Sequence, residues 1–85
     1  MFYVYVLRRQ RDGKLQVGHT GDLDKRIELH NNCEGVSGNH RIPYEIVYYE
    51  ACTDKRDALK RESYLRGAYG RRFLENRLSN FLATT

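Results

Sequence analysis

From Phe2 to Arg8 nearly every position is apolar or aromatic, with Phe2, Val4 and Val6 alternating with Tyr3, Tyr5 and Leu7. Successive side chains of a strand point to opposite faces, so a run that is apolar on both predicts a central strand covered on two sides. Arg9-Gln10-Arg11-Asp12-Gly13 breaks the run, and Asp-Gly is a strong turn signal. Lys14 to His19 supplies a returning strand, so the first twenty residues predict a hairpin. Thr20-Gly21-Asp22 has the residue types of a turn and a helix N-cap. Beyond it Leu23 and Ile27 recur at i, i+4, as do Arg26 and His30. On a helical period all four fall on about one third of the circumference, so Arg26 and His30 border the buried stripe. Asn31-Asn32 ends that helix.

Cys33 to Pro43 carries glycines, Ser37, Asn39, His40 and Arg41, the composition of a loop. Tyr44 to Glu50, rich in Tyr, Ile and Val, predicts a third strand. Thr53 can cap a second helix running to about Arg66, with Gly67 suited to its end. A last helix over Arg71 to Leu82 buries Leu74, Leu78, Phe81 and Phe73. Three strands and three helices in the order ββαβαα predict one α+β domain over residues 1–85, with helices packed on the faces of the sheet.

Composition narrows the function. Hydrophobic residues make up 40% and charged residues 31%, which is globular rather than disordered. No run approaches the ~18 apolar residues of a membrane span. The N-terminus enters a strand at once and lacks the apolar core of a secretory signal, so the cytoplasm is the expected compartment. Cys33 and Cys52 are too few and too far apart for a disulfide scaffold and are expected as thiols. His30 and Cys33 have the spacing of half a zinc site, without a second pair. Fifteen Lys and Arg against eleven Asp and Glu give a net charge of +4, a bias toward polyanions shared by many proteins with basic surfaces.

Glu62 is the most informative residue of the second half. Ala58, Leu59 and Leu65 set that helix's apolar stripe, and Glu62 lies among them. A carboxylate there must pair with a cation such as Arg66 at i+4, sit at the stripe's edge, or bind a metal. Arg26 and His30 have a similar choice. They can carry their polar heads to water beside the core, or grip a phosphate beside the Tyr-rich hairpin. Arg71-Arg72 and Arg8-Arg9-Arg11 are basic groups that are either solvated surface charge or nucleic-acid contacts.

Taken in order, these fragments resemble the GIY-YIG nuclease superfamily, in a small single-domain, UPF0213-like form. The resemblance runs from Tyr3-Val4-Tyr5 through Asp12-Gly13-Lys14-Leu15, Gly18-His19-Thr20 and Asp22-Leu23-x-x-Arg26-Ile27-x-x-His30-Asn31. It continues through Pro43 to Glu50 and Asp57-Ala58-Leu59-Lys60-Arg61-Glu62. It implies a three-stranded antiparallel sheet flanked by helices. It also implies cleavage of DNA phosphodiesters, in repair or processing, with one divalent ion, Mg²⁺ or Mn²⁺. On that pattern Tyr5 is the tyrosine of the first motif, Arg26 stabilises the attacked phosphate with His30 in support, and Glu62 holds the metal. Arg71, Arg72 and Arg41 are the expected nucleic-acid contacts. No recognition module accompanies the domain within these residues, so specificity is expected to be low or supplied by a protein partner.

Two positions depart from the family pattern. Tyr3 stands where the first motif has glycine, and Gln16 stands at the tyrosine of the second motif. Gln can hydrogen-bond a water but cannot usefully accept its proton near neutral pH. His19 sits where some members place a lysine or another polar residue near the nucleophile. A regular strand puts Gln16 and Gly18 on one face and Val17 and His19 on the other. A catalytically weak relative that binds nucleic acid or protein is therefore the alternative to a nuclease.

Overall fold

The computed structural model describes residues 1–33 and 44–84, with the side chains of residues 29–33 outside that description. Strands β1 (Phe2–Arg9) and β2 (Leu15–Thr20) form the expected antiparallel hairpin. Its turn is closed by Gly13 N–H donating to Arg9 O at 2.7 Å and Arg9 N–H to Lys14 O at 2.9 Å. Gly13 has φ +74°, a backbone state open to glycine without a Cβ clash. The Asp12 carboxylate accepts the Lys14 N–H and pairs with Arg9, which holds the carboxyl well below its usual range. Strand β3 (Tyr44–Cys52) lies antiparallel on the other side of β1, so the order is β2-β1-β3 and β1 is central. One irregularity interrupts that pairing: Val6 opposes Tyr48 while Leu7 opposes Ile46.

The two faces of β1 hold two cores. Val4 and Val6 are fully buried against Ala58, Leu65 and Leu74. Tyr5 and Leu7 pack with Tyr44, Ile46, Leu23 and Ile27. The second group is the contact of helix α1 (Leu23–Cys33) with the sheet. Asp22 starts that helix, its side chain accepting Lys25 N–H and its carbonyl accepting Arg26 N–H, both at 3.1 Å.

Helix α2 (Lys55–Arg66) is capped by Asp54 rather than Thr53. Asp54 is the last extended residue, and its carboxylate accepts the Arg56 N–H at 2.8 Å. The buried stripe of α2 is Ala58, Glu62 and Leu65. Leu59, expected in it, is 41% exposed, because it lies about 100° around the helix from Ala58. Gly67 joins α2 to the next helix in an extended conformation. The single last helix expected from Arg71 begins earlier and comes as two, α3 (Ala68–Arg77) and α4 (Ser79–Ala83), parted by a turn at Leu78. Gly70 permits the tight α2–α3 junction, since a Cβ there would collide with the Tyr64 carbonyl and the Leu65 backbone.

A polar cluster ties these helices to the sheet. Arg61 grips Glu50 of β3 with two parallel bonds of 2.8 and 2.9 Å, and Tyr48 donates to the same carboxylate at 2.6 Å. The Arg61 guanidinium lies 4.7 Å from the Phe73 ring centre and 5.1 Å from that of Tyr64. The same guanidinium, helped by the Tyr48 hydroxyl, holds the Glu50 carboxyl below its ordinary range. Arg61 immediately precedes Glu62 on α2, so this clamp also holds the backbone that carries Glu62 against the sheet. No helix among the described residues is long and apolar enough to cross a membrane.

Candidate active site

The site is built around Gly18 on the edge strand β2. In register, Tyr5 stands directly opposite Gly18, and Val4 opposite His19. Directly opposed residues share a face. Gly18 therefore lies on the Tyr5 face of the sheet, and His19 on the Val4 face, toward α2. The Tyr5 ring crosses Gly18 closely: a Cβ there would sit 2.5 Å from Tyr5 Cζ, and closer still to the hydroxyl oxygen. Glycine is thus required at this position to let the tyrosine hydroxyl reach the sheet edge. There it accepts a hydrogen bond from Arg26 Nε of α1 at 3.1 Å.

On the other face, His19 Nδ1 lies 2.8 Å from Glu62 Oε1. With the carboxylate oxygen as acceptor, Nδ1 is the donor, and in the tautomer that this selects Nε2 is the acceptor nitrogen. The second oxygen, Oε2, pairs with Arg66 Nη2 at 2.8 Å. Arg66 also donates from Nη2 and Nε to the Val17 carbonyl of β2, at 3.0 and 3.3 Å. Glu62 is only 7% exposed, and these partners offset the cost of burying its charge.

Both pairs open on one cleft of about 1030 Å³, whose lining includes Tyr5, Gln16, His19, Arg26, Glu62 and Arg66. Lys14 and Arg71 add positive charge to its walls, with Asp12 and Glu75 also at the lining. The structure thus gathers six of the residues singled out from sequence: Tyr5, Gln16, His19, Arg26, Glu62 and Arg71. Arg72 is exposed on α3 and is not part of the lining. His30 lies one turn beyond Arg26 on α1, but its side chain, like that of Cys33 and the whole of Arg41, falls outside the described residues. Of the Arg8-Arg9-Arg11 group, Arg8 pairs with Glu45 and Arg9 with Asp12. Sequence reasoning passed over Lys14, and treated Arg66 only as a local partner for Glu62. Their sequence signals, a turn lysine and an i, i+4 pair, are common surface patterns.

Among the described residues no group of three or more His, Cys, Asp and Glu side chains gathers to hold a metal. The half zinc site read at His30 and Cys33 lies outside the described side chains. The cleft's carboxylates do fit Mg²⁺ or Mn²⁺, since hard cations of this kind need only one or two and fill their remaining positions with water and phosphate oxygens, and of Asp12, Glu62 and Glu75 it is Glu62 that is buried. Glu62 is the residue with that character.

Comparison with known proteins gives the same picture over most of the chain. The model of the GIY-YIG catalytic domain matches residues 1–79. A UPF0213 protein of Clostridium perfringens is 42% identical over 67 residues, covering 78% of this chain and 71% of its own. One from Staphylococcus saprophyticus is 41% identical over 61 residues, covering 71% and 73%. The solution structure of a UPF0213 protein from Bacillus halodurans is similar with a TM-score of 0.55 at 29% identity, covering 89% of this chain and 84% of that one. With the tyrosine hairpin, the Arg26 helix and the Glu62 helix set around one cleft, the chain belongs to the GIY-YIG catalytic domain family.

Proposed function

We propose that the protein is a divalent-metal-dependent endonuclease that hydrolyses DNA phosphodiester bonds, acting in DNA repair or processing. One observation carries this reading: Tyr5–Arg26 and His19–Glu62 reach a single cleft from opposite faces of the sheet, on either side of Gly18. A cleft with one buried carboxylate and several cationic side chains suits a phosphodiester with a metal ion better than a neutral ligand.

Arg26 commits Nε to Tyr5, which fixes the guanidinium plane and leaves its Nη groups to bind the attacked phosphate. That placement stabilises charge developing on the phosphate oxygens. His19 is oriented through Nδ1 by Glu62, so its Nε2 is the nitrogen that accepts a proton from the attacking water. This role stands in for the tyrosine that Gln16 replaces, with Gln16 left to hydrogen-bond the water. Held by Glu62, one Mg²⁺ or Mn²⁺ would neutralise the phosphate and the leaving oxygen. Arg71 supplies phosphate-backbone contacts from the cleft wall, Arg72 and Arg41 are the further contacts expected from the sequence, and sequence selectivity falls to a protein partner.

The test is incubation of plasmid and branched DNA with the purified protein and Mg²⁺ or Mn²⁺. Cleavage is expected, and Glu62→Ala should abolish it while the fold persists by circular dichroism. Cleavage that survives unchanged in Glu62→Ala removes the metal role from Glu62. Gln16 favours one second reading, a relative that binds DNA without cutting it. That reading predicts salt-sensitive binding and no product with either metal.

A further inference from the structure

Arg66 is a cleft cation engaged both at the proposed metal residue and at the neighbouring strand. It pairs with Glu62 Oε2, and it donates twice to the Val17 carbonyl of the edge strand. Its side chain is nevertheless 60% exposed, while its carboxylate partner is 9% exposed. The buried partner is fixed by the sheet and by His19, whereas the guanidinium sits at the cleft surface on a long flexible stem. An exchange at Glu62 therefore displaces Arg66 and leaves Glu62 in place.

From this asymmetry we infer that Arg66 is an exchangeable cation. It neutralises Glu62 while the site is empty of metal, yields Oε2 to the incoming divalent ion, and then binds a DNA phosphate in the same cleft. The inference rests on the proposed metal role of Glu62. Two charges account for the exchange. The buried carboxylate needs a cationic partner in either state. A guanidinium released beside a bound metal is repelled by it and attracted to a phosphate, which it matches with two donors. Metal loading and DNA binding would then be coupled through one side chain, each favouring the other.

The experiment measures Mn²⁺ affinity by electron paramagnetic resonance and, separately, the affinity for a fluorescently labelled branched DNA. DNA binding is measured both in EDTA and in Ca²⁺, which serves as a non-hydrolysing ion. Arg66→Ala should tighten Mn²⁺ binding by roughly fivefold, about 1 kcal/mol, because the ion no longer displaces a partner. Arg66→Gln, which keeps a donor for the Val17 carbonyl, should do the same, and thermal melts confirm that both variants are folded. Arg71→Ala removes an equal charge from the cleft wall without touching Glu62, and should change Mn²⁺ affinity much less. In Ca²⁺, Arg66→Ala should weaken DNA binding by about tenfold and lower the salt slope by about one, with little effect in EDTA.

An unchanged Mn²⁺ affinity in both Arg66 variants overturns the inference, as does an equal loss of DNA affinity in EDTA and in Ca²⁺. Mn²⁺ binding that is insensitive to Glu62→Gln overturns the metal role of Glu62 itself, and this inference with it. Glu62-dependent binding that ignores Arg66 overturns the exchange alone.

Discussion

Gly18→Ala tests the crossing on which the site depends. The new Cβ would lie 2.5 Å from Tyr5 Cζ and 3.0 Å from Cε1, with the hydroxyl oxygen nearer still. The ring cannot simply retreat, because Tyr5 is 3% exposed and packed with Leu7, Tyr44, Leu23 and Ile27. Forcing a methyl group into such a contact costs about 1–3 kcal/mol. Breaking the Arg26–Tyr5 bond adds about 1 kcal/mol. Against these stands a gain of roughly 0.5–1 kcal/mol from replacing a strand glycine by alanine. The expected net loss is about 2 kcal/mol, large beside the roughly 5–15 kcal/mol that holds a domain together. In a Tyr5→Leu background both the clash and the bond are gone, and the sign should reverse, with Gly18→Ala stabilising by about 0.5 kcal/mol. The difference, near the ~3 kcal/mol upper range for residues in contact, is a coupling measurable by urea denaturation of the four proteins, followed by circular dichroism. Equal effects of Gly18→Ala in both backgrounds would refute the account of why glycine stands there.

Other expectations follow from the same geometry. Gly70→Ala should cost about 2 kcal/mol or more in urea titrations, because the obstructing atoms are the Tyr64 carbonyl and the Leu65 backbone, which cannot rotate away; a neutral result would contradict the close α2–α3 junction. Glu50 is held below its ordinary 4.5 by Arg61, so its contribution is full above that value and is lost as pH falls through the lower folded value. Stability should therefore hold from neutral pH down to the ordinary carboxylate value and drop on further acidification, and Glu50→Gln should flatten that acid limb, whereas an unaltered limb would deny the pair its role. If His19 replaces the missing tyrosine, His19→Ala should lower the cleavage rate by on the order of 10²-fold, and Gln16→Tyr should recover part of it only in that background. A neutral His19→Ala beside a strongly activating Gln16→Tyr would instead mark the natural chain as impaired.

Much of the frame was legible because its signals are local. The doubly apolar run at Phe2–Leu7 required a strand covered on both faces, and the structure puts β1 in the centre with a core on each side. Asp12-Gly13 called for a turn, and Gly13 takes the positive φ that favours glycine. Gln16 and His19 fall on opposite faces, as strand alternation required. Boundaries were less legible. Thr53 and Asp54 are both good caps, and only the backbone path shows which residue is last outside the helix. The turn at Leu78 has no Pro or Gly to announce it, and there Leu78 packs on the core. Leu59 matched the stripe by residue type, but the sheet touches too narrow an arc of α2 to cover it.

At Glu62 the division between sequence and structure is clearest. By itself the sequence placed a carboxylate among the apolar positions of α2, either within the buried stripe or at its edge. It also offered Arg66, one turn away, as a partner. Only the tertiary structure brought His19, 43 residues distant, to the same carboxylate, and carried Arg66 across to the carbonyl of Val17, 49 residues away. Periodicity reports the direction of a side chain relative to its own element. Which side chains meet is set by strand register and by the height at which a helix rests on the sheet, and both are fixed by packing between distant segments.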